Sequence, residues 1–399
     1  MNFWKKKDIN ITKMKISLNR ENFNLALEKL KKEYKIYAPI EIPFRGTFSD
    51  TSVIRYSEIE KIDEICFDKK SHFSAKEIML PITQTMFYFT EEGCKMPKEQ
   101  EQKYLIFLRS CDLHGVKRVD DIYLNNKFLD IYYKRVRDKV KFVVFGCPNS
   151  FENCFCVDMG TNKTDEYNIG IKVTEKEIFA DIKDDELKVY FKELIAEKNN
   201  GSNDEHKINE MYLDVKDEKM KKYLEEIIAE NNSNKIKENV EFEMEFVEDN
   251  EIHVDIPDNI ELEDIINLDL WREYDSRCIA CGKCNFVCPT CTCTTTQDVF
   301  YSENENNGER RRVWASCHVN GFTDMAGGHS FRQRHGDRMR FKVMHKISDF
   351  KKRFGYQMCT GCGRCDDACP EYISFSNCIN KLSAELKRIS AEKRGEESE

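Results

Sequence analysis

"CIACGKCNFVCP", residues 278–289, and "CTGCGRCDDACP", residues 359–370, decide how this chain is read. Both follow C-x2-C-x2-C-x3-C-P, a cysteine spacing that seats a [4Fe–4S] cluster. Three closely spaced thiolates reach three irons of one cube, and the fourth cysteine reaches the other cluster of the pair. The proline that follows redirects the chain. Gly282, Gly361 and Gly363 let the backbone bend close to the cluster sulfurs. On this logic one cluster takes Cys278, Cys281, Cys284 and Cys369, and the other takes Cys359, Cys362, Cys365 and Cys288. Zinc knuckles are the alternative, and two complete copies of the run in one chain argue against them. Clusters linked by exchanged ligands sit close together, as electron transfer needs.

Seventy residues intervene between Cys288 and Cys359, more than a compact ferredoxin requires. In "RMRFKVMHKISDF" (338–350), Met339, Val343, Met344, Ile347 and Phe350 fall on one helical face. The expected fold is therefore α+β and multidomain: an N-terminal mixed α/β domain, and a mainly α-helical ferredoxin-like dicluster domain at 264–399. Within the latter, Cys291, Cys293, Cys317 and Cys378 lie outside the ligand spacing and read as buried packing residues. His318, His329, His335 and His345 share no metal-ligand spacing with carboxylates and read the same way. Residues 309–353 hold twelve Lys or Arg against four Asp or Glu. These cations either raise the potential of anionic clusters, dock an acidic partner, or form an ordinary solvated face.

Upstream, residues 1–195 read as the α/β domain. "ENFNLALEKLKKEY" (21–34) places Phe23, Leu27, Leu30 and Tyr34 at helical spacing, while "YKIYAPI" (34–40) and "SVIRY" (52–56) read as strands. "YLIFLR" (104–109) and "VKFVVFG" (140–146) are apolar runs suited to buried strands. The helical stretches 112–124 and 128–140 between them predict a parallel pair. Cys111 follows the first strand and Cys147 the second, and "GCPNSFENCFC" (146–156) adds Cys154 and Cys156. Open α/β sheets bind ligands outside the carboxyl ends of their strands. Cys111, Cys147, Cys154 and Cys156 thus form a candidate third site, with Asp112 as a candidate oxygen ligand. A third [4Fe–4S] cluster, zinc and inert buried thiols are its three readings. Residues 196–263 are rich in Asn, Glu and Lys and read as a polar insert with a short helix at 220–230 and no chemistry.

A chain of 399 residues can bury two or three cores. Its net charge of −9 argues against a broad nucleic-acid-binding surface. It holds no apolar run long enough for a transmembrane helix, and "MNFWKKKDINITK" (1–13) lacks the apolar segment of a secretory signal. A cytoplasmic location is expected, where eighteen cysteines point to metal rather than disulfides. No dinucleotide fingerprint, phosphate-binding loop or separate sirohaem spacing occurs, so no catalytic residues are assigned.

Six phrases resemble a known family: 274–293 ("YDSRCIACGKCNFVCPTCTC"), 308–317, 324–332, 358–376, 80–89 ("LPITQTMFYF") and 150–165. They are similar to the iron–sulfur electron-transfer subunit of anaerobic sulfite reductase, over about residues 15 to 385, with the insert at 196–255 the least similar part. The resemblance implies an iron–sulfur component of an oxidoreductase complex. It would relay electrons from an NADH-oxidising flavin subunit to a sirohaem subunit that reduces sulfite to sulfide. The N-terminal pattern also resembles the iron–sulfur subunit of sulfhydrogenase-type nickel–iron hydrogenases. A structural or redox-sensing iron–sulfur protein is the alternative of another class.

Overall fold

In a computed structural model, the described residues are 14–199, 220–222, 224, 234–258, 260–301 and 306–396. The helix expected at 220–230 lies mostly outside them. Parallel strands β2 (Tyr34–Ile42), β6 (Lys103–Leu108), β7 (Val140–Phe145) and β8 (Ile169–Val173) form the centre of an eight-stranded sheet. Antiparallel strands flank them: β3 (Val53–Glu58) on one side, and β9 (Ile178–Ile182), β1 (Met14–Leu18) and β10 (Lys237–Glu238) on the other. Apolar side chains on both faces of β6 and β7 explain why the sequence shows runs rather than alternation there. Leu105, Phe107, Val143 and Phe145 pack with the helices Arg20–Leu30 and Asp185–Asn199. Ile106, Leu108, Phe142 and Val144 pack on the other face with the helices Ser110–Tyr123 and Ile131–Arg137.

The expected strand–helix–strand unit is present, with β6 and β7 paired in parallel register. The first helix stops at Leu30, and Tyr34, which the spacing assigned to its apolar face, opens β2 instead. Its side chain is buried all the same.

The region from 264 departs from the mainly helical expectation. Its helices are short until His335–Met344 and Phe375–Glu396, and residues 294–314 form a hairpin of β11 (Thr294–Phe300) and β12 (Gly308–Trp314). Strand β12 pairs in turn with β4 (Thr83–Thr90), which carries β5 (Gly93–Lys95), giving a four-stranded antiparallel sheet from two distant parts of the chain. The stripe read from 338–350 does face a core: Met339, Val343, Met344, Ile347 and Phe350 are buried. Phe155 and Met159, from the cysteine-rich loop after β7, enter that same core.

Part of the insert is built in as well. Residues 234–258 run along the sheet and over this loop: Phe246 bridges Cys147, and Asn250 accepts from Val157 N (2.9 Å) and donates to Ser150 Oγ (2.9 Å). Among the described residues no helix is long and apolar enough to cross a membrane.

Candidate metal centres

Each cysteine run folds as a loop closed by one helical turn. Gly282 (φ 75°) precedes the helix Lys283–Phe286, and Gly363 (φ 69°) precedes Arg364–Asp367. These left-handed residues reverse the backbone so that successive cysteines face one side. Gly361 and Gly363 serve a second purpose. A Cβ on Gly361 would lie 2.4 Å from the Phe155 carbonyl oxygen, and one on Gly363 would lie 2.3 Å from that of Asn153. Only glycine lets the second run seat against the loop carrying Cys154 and Cys156, and Phe155 N donates to Gly361 O across the join (2.8 Å).

The first expected ligand set meets in one place. Cys278, Cys281, Cys284 and Cys369 line a small pocket, together with Gly282, His318 and Lys342. Cys365 of the second set forms part of the same wall, so the two sets abut. His318 supplies a test of fit. Its ring is buried, Nδ1 lies 3.9 Å from Cys278 Sγ, and Nε2 has no partner among the described residues. A buried, unanswered ring nitrogen in a thiol-lined cavity suits an acceptor such as a cluster sulfide. Burial, and then the charges of Lys342 and Arg338, push this imidazole down to about 3, so it stays neutral.

The second set is deeper. Cys362 is buried, and Cys359 is pushed up to about 12 by burial and then by its neighbours Cys288 and Cys362. Cys365 is raised by burial, then by Asp366, with Cys359 and Cys362 also near. Cys288 goes the other way, because the Cys291 thiol hydrogen-bonds to it and the Lys346 ammonium lies 3.6 Å from its sulfur.

The third candidate group also gathers. Cys156 is pushed up to about 12 by burial and then by Cys154 and Cys147, and Cys111 has Cys362 and Cys156 as neighbours. Arg109 donates to Cys147 Sγ (2.9 Å) while stacked between Phe145 and Phe151, and Lys70 lies 3.8 Å from Cys154 Sγ. Asp112 is different. Both its oxygens receive the Arg364 guanidinium (2.7 and 2.8 Å), and Tyr56 donates to one of them (3.2 Å). It is held as the buried ion-pair partner of Arg364.

Among the described residues no three His, Cys, Asp or Glu side chains converge as a single ion would need. The thiols of the first set instead line a pocket, which suits a cube held by one thiolate per iron.

Cys378 is wholly buried in the core of the helix Phe375–Glu396, as packing predicts. Cys291, Cys293 and Cys317 also sit inside, but in thiol pairs: Cys291 bonds Cys288, and Cys293 bonds Cys317, which accepts from Asn285 Nδ2 (3.0 Å). Sequence reasoning missed Arg364 and the buried lysines Lys76, Lys342 and Lys346. For two of them the signal was present, since Lys342 and Lys346 fall on the same helical stripe as Met339, Val343 and Ile347.

Comparison with known proteins agrees with this geometry. Residues 277–373 match the family described as 4Fe-4S dicluster domain. Over 375 residues the chain is 26% identical to the beta subunit of sulfhydrogenase 2 from Pyrococcus furiosus, covering 92% of this chain and 98% of that protein. No solved structure matches. The chain carries a [4Fe–4S] dicluster domain, and these findings support an iron–sulfur electron-transfer subunit.

Proposed function

We propose that this chain relays single electrons inside an oxidoreductase complex, with one [4Fe–4S] cluster on Cys278, Cys281, Cys284 and Cys369 and another on Cys359, Cys362, Cys365 and Cys288. A third centre occupies Cys111, Cys147, Cys154 and Cys156. The observation that carries the reading is the shared wall: Cys365 lines the cavity of the first set, so electrons cross a short gap. Bound clusters supply the one-electron chemistry. The chain's own residues hold the thiolates, exclude water from the second set and donate hydrogen bonds to sulfur. No substrate-converting site is assigned to this chain.

For the host complex we favour a hydrogenase of sulfhydrogenase type, because the relative aligned over nearly its whole length bears that name. Anaerobic sulfite reductase is the second reading, supported by phrases such as 80–89 and 150–165. Its partners would be an NADH-oxidising flavin subunit on the donor side, with the sirohaem subunit as acceptor. Anaerobic purification from the native host separates the two: nickel in the co-purifying partner supports the first, sirohaem the second. Iron and acid-labile sulfide then count the centres. About twelve irons mean three cubes, about eight mean two, and absence of sulfide would overturn the relay.

A further inference from the structure

An ammonium group rarely leaves water without a carboxylate to meet it. Lys76, Lys342 and Lys346 are only 5%, 5% and 4% exposed, and among the described residues none forms an ion pair with a carboxylate. Lys76 donates to the Cys291 carbonyl (2.8 Å) and lies over the Trp314 ring (4.1 Å). Lys346 donates to Thr290 Oγ1 (2.6 Å) and reaches Cys288 Sγ (3.6 Å), with Cys359 also near. Lys342 lines the cavity of the first ligand set, bonds the Cys284 thiol and neighbours Cys365. Two other cations near the cysteines are answered by carboxylates. Arg364 is matched by Asp112, and Lys70 by Asp367 (2.6 Å). Among the described residues, Arg109 faces Cys147 and Lys76 lies near Cys288 without carboxylates too, but Lys76 is turned to a carbonyl and a ring. This leaves Lys342 and Lys346 as the buried ammonium groups that reach the thiols of the two cysteine runs.

We propose that Lys342 and Lys346 are potential-setting residues, Lys342 acting on both clusters and Lys346 on the Cys288/Cys359/Cys362/Cys365 cluster alone. The inference rests on the ligand sets proposed above. A four-thiolate cluster is anionic and gains one more negative charge when an electron arrives from the partner donor. No bond forms or breaks, and no proton leaves the lysine. A fixed cation at the thiolates favours the reduced state, and burial keeps water from screening it. The second cluster needs this more, because its depth alone disfavours added charge.

The test is an EPR-monitored redox titration of the full chain, reconstituted anaerobically, with Lys346→Met, Lys342→Met and Lys283→Met. Lys283 adjoins Cys284 in sequence but is exposed, so it serves as a screened control. With Lys346→Met, the reduced-to-oxidised ratio of one cluster is expected to fall at least about tenfold at fixed poise, or about 59 mV. The other cluster holds its midpoint. Lys342→Met is expected to move both, and Lys283→Met neither by that much. If a Met variant loses iron, Lys346→Arg and Lys346→Gln take its place, with Arg holding the midpoint and Gln lowering it. Full iron content with unmoved midpoints in the charge-removed variants, or equal shifts of both clusters in the Lys346 variant, would overturn the proposal. Lack of any reducible cluster signal in the unmodified chain would instead sink the relay reading.

Discussion

Replacing Arg364 by Met tests how the second cysteine run is fixed to the N-terminal domain. Its guanidinium is 1% exposed and meets the 2% exposed carboxylate of Asp112 from 252 residues away. The same group donates to the Ser71 carbonyl and hydroxyl (2.8 and 2.9 Å). Opposite charges about 4 Å apart attract by about 4 kcal/mol at an effective dielectric near 20. Desolvation offsets much of that, so the intact pair adds little net stability. Breaking it is another matter, because Asp112 would be left buried and uncompensated, at a cost of about 3–5 kcal/mol. Asp112→Leu strands the guanidinium at a similar cost. The double variant strands neither charge and is expected to lie well above the sum of the singles. The assay is an anaerobic urea titration of all four proteins, followed by cluster absorbance and far-UV circular dichroism, and combined as a double-mutant cycle. A single-variant cost under about 1 kcal/mol, or strict additivity, would refute the reasoning.

Cys281→Ser and Cys362→Ser are each expected to remove one cluster, about four irons, and to stop electron flow through the chain. A partner subunit supplied with an artificial donor keeps its activity, and survival of donor-driven turnover with both clusters lost would contradict the relay. Gly361→Ala must hold φ at 63° and drive a methyl into the Phe155 carbonyl. A loss of about 1–3 kcal/mol is expected from the backbone strain alone, read as a lower thermal midpoint with loosened iron binding. His345 is pushed down to about 4, chiefly by burial, from an ordinary 6.5. The unfolded chain therefore binds the extra proton between these values, and stability is lost as pH falls through that window. His345→Gln is expected to flatten the loss of stability between pH 7 and pH 5, by no more than about 2 kcal/mol, read from thermal midpoints at the two pH values.

The parts of this protein that were legible in its sequence are those whose physics is local. The two cysteine runs carry their ligand logic in their spacing, and the ends of β6 and β7 are marked by apolar runs that stop at a cysteine. The four-stranded sheet was not legible. Strand β11 is "TTTQDVF", mostly exposed, and its neighbour β12 pairs with β4 more than 200 residues upstream. Neither pattern announces a shared sheet. The Arg364 partner of Asp112 was hidden for a related reason. Beside Cys111, Asp112 looked like a ligand, and only the fold brings Arg364 to it. The insert at 234–258 has a polar composition that suggests disorder, yet Asn250 and the backbone near Phe246 satisfy polar groups of the cysteine loop. Composition reports solvent affinity and does not reveal such pairings.

The position of that loop suggests an order for the proposed relay. Cys281 is exposed, so the first ligand set has an edge at the surface. The second set lies behind it, sharing Cys365 with the cavity wall. The loop bearing Cys154 and Cys156 is held to the second run by Phe155 N to Gly361 O, by Thr161 Oγ1 to Thr360 O (2.6 Å), and by Asn153 to Asp367 (2.8 Å). Cys111 and Cys154 both have Cys362 as a neighbour. The third group of thiols therefore adjoins the second ligand set, as the second adjoins the first. In the proposed relay, an electron passing between the third centre and the first by way of the second would cross the cluster that Lys346 faces. Its potential decides whether the second centre is a stepping stone or a barrier, and an uncompensated buried anion would make it a barrier. That requirement accounts for ammonium groups buried where a purely structural reading would place methionine.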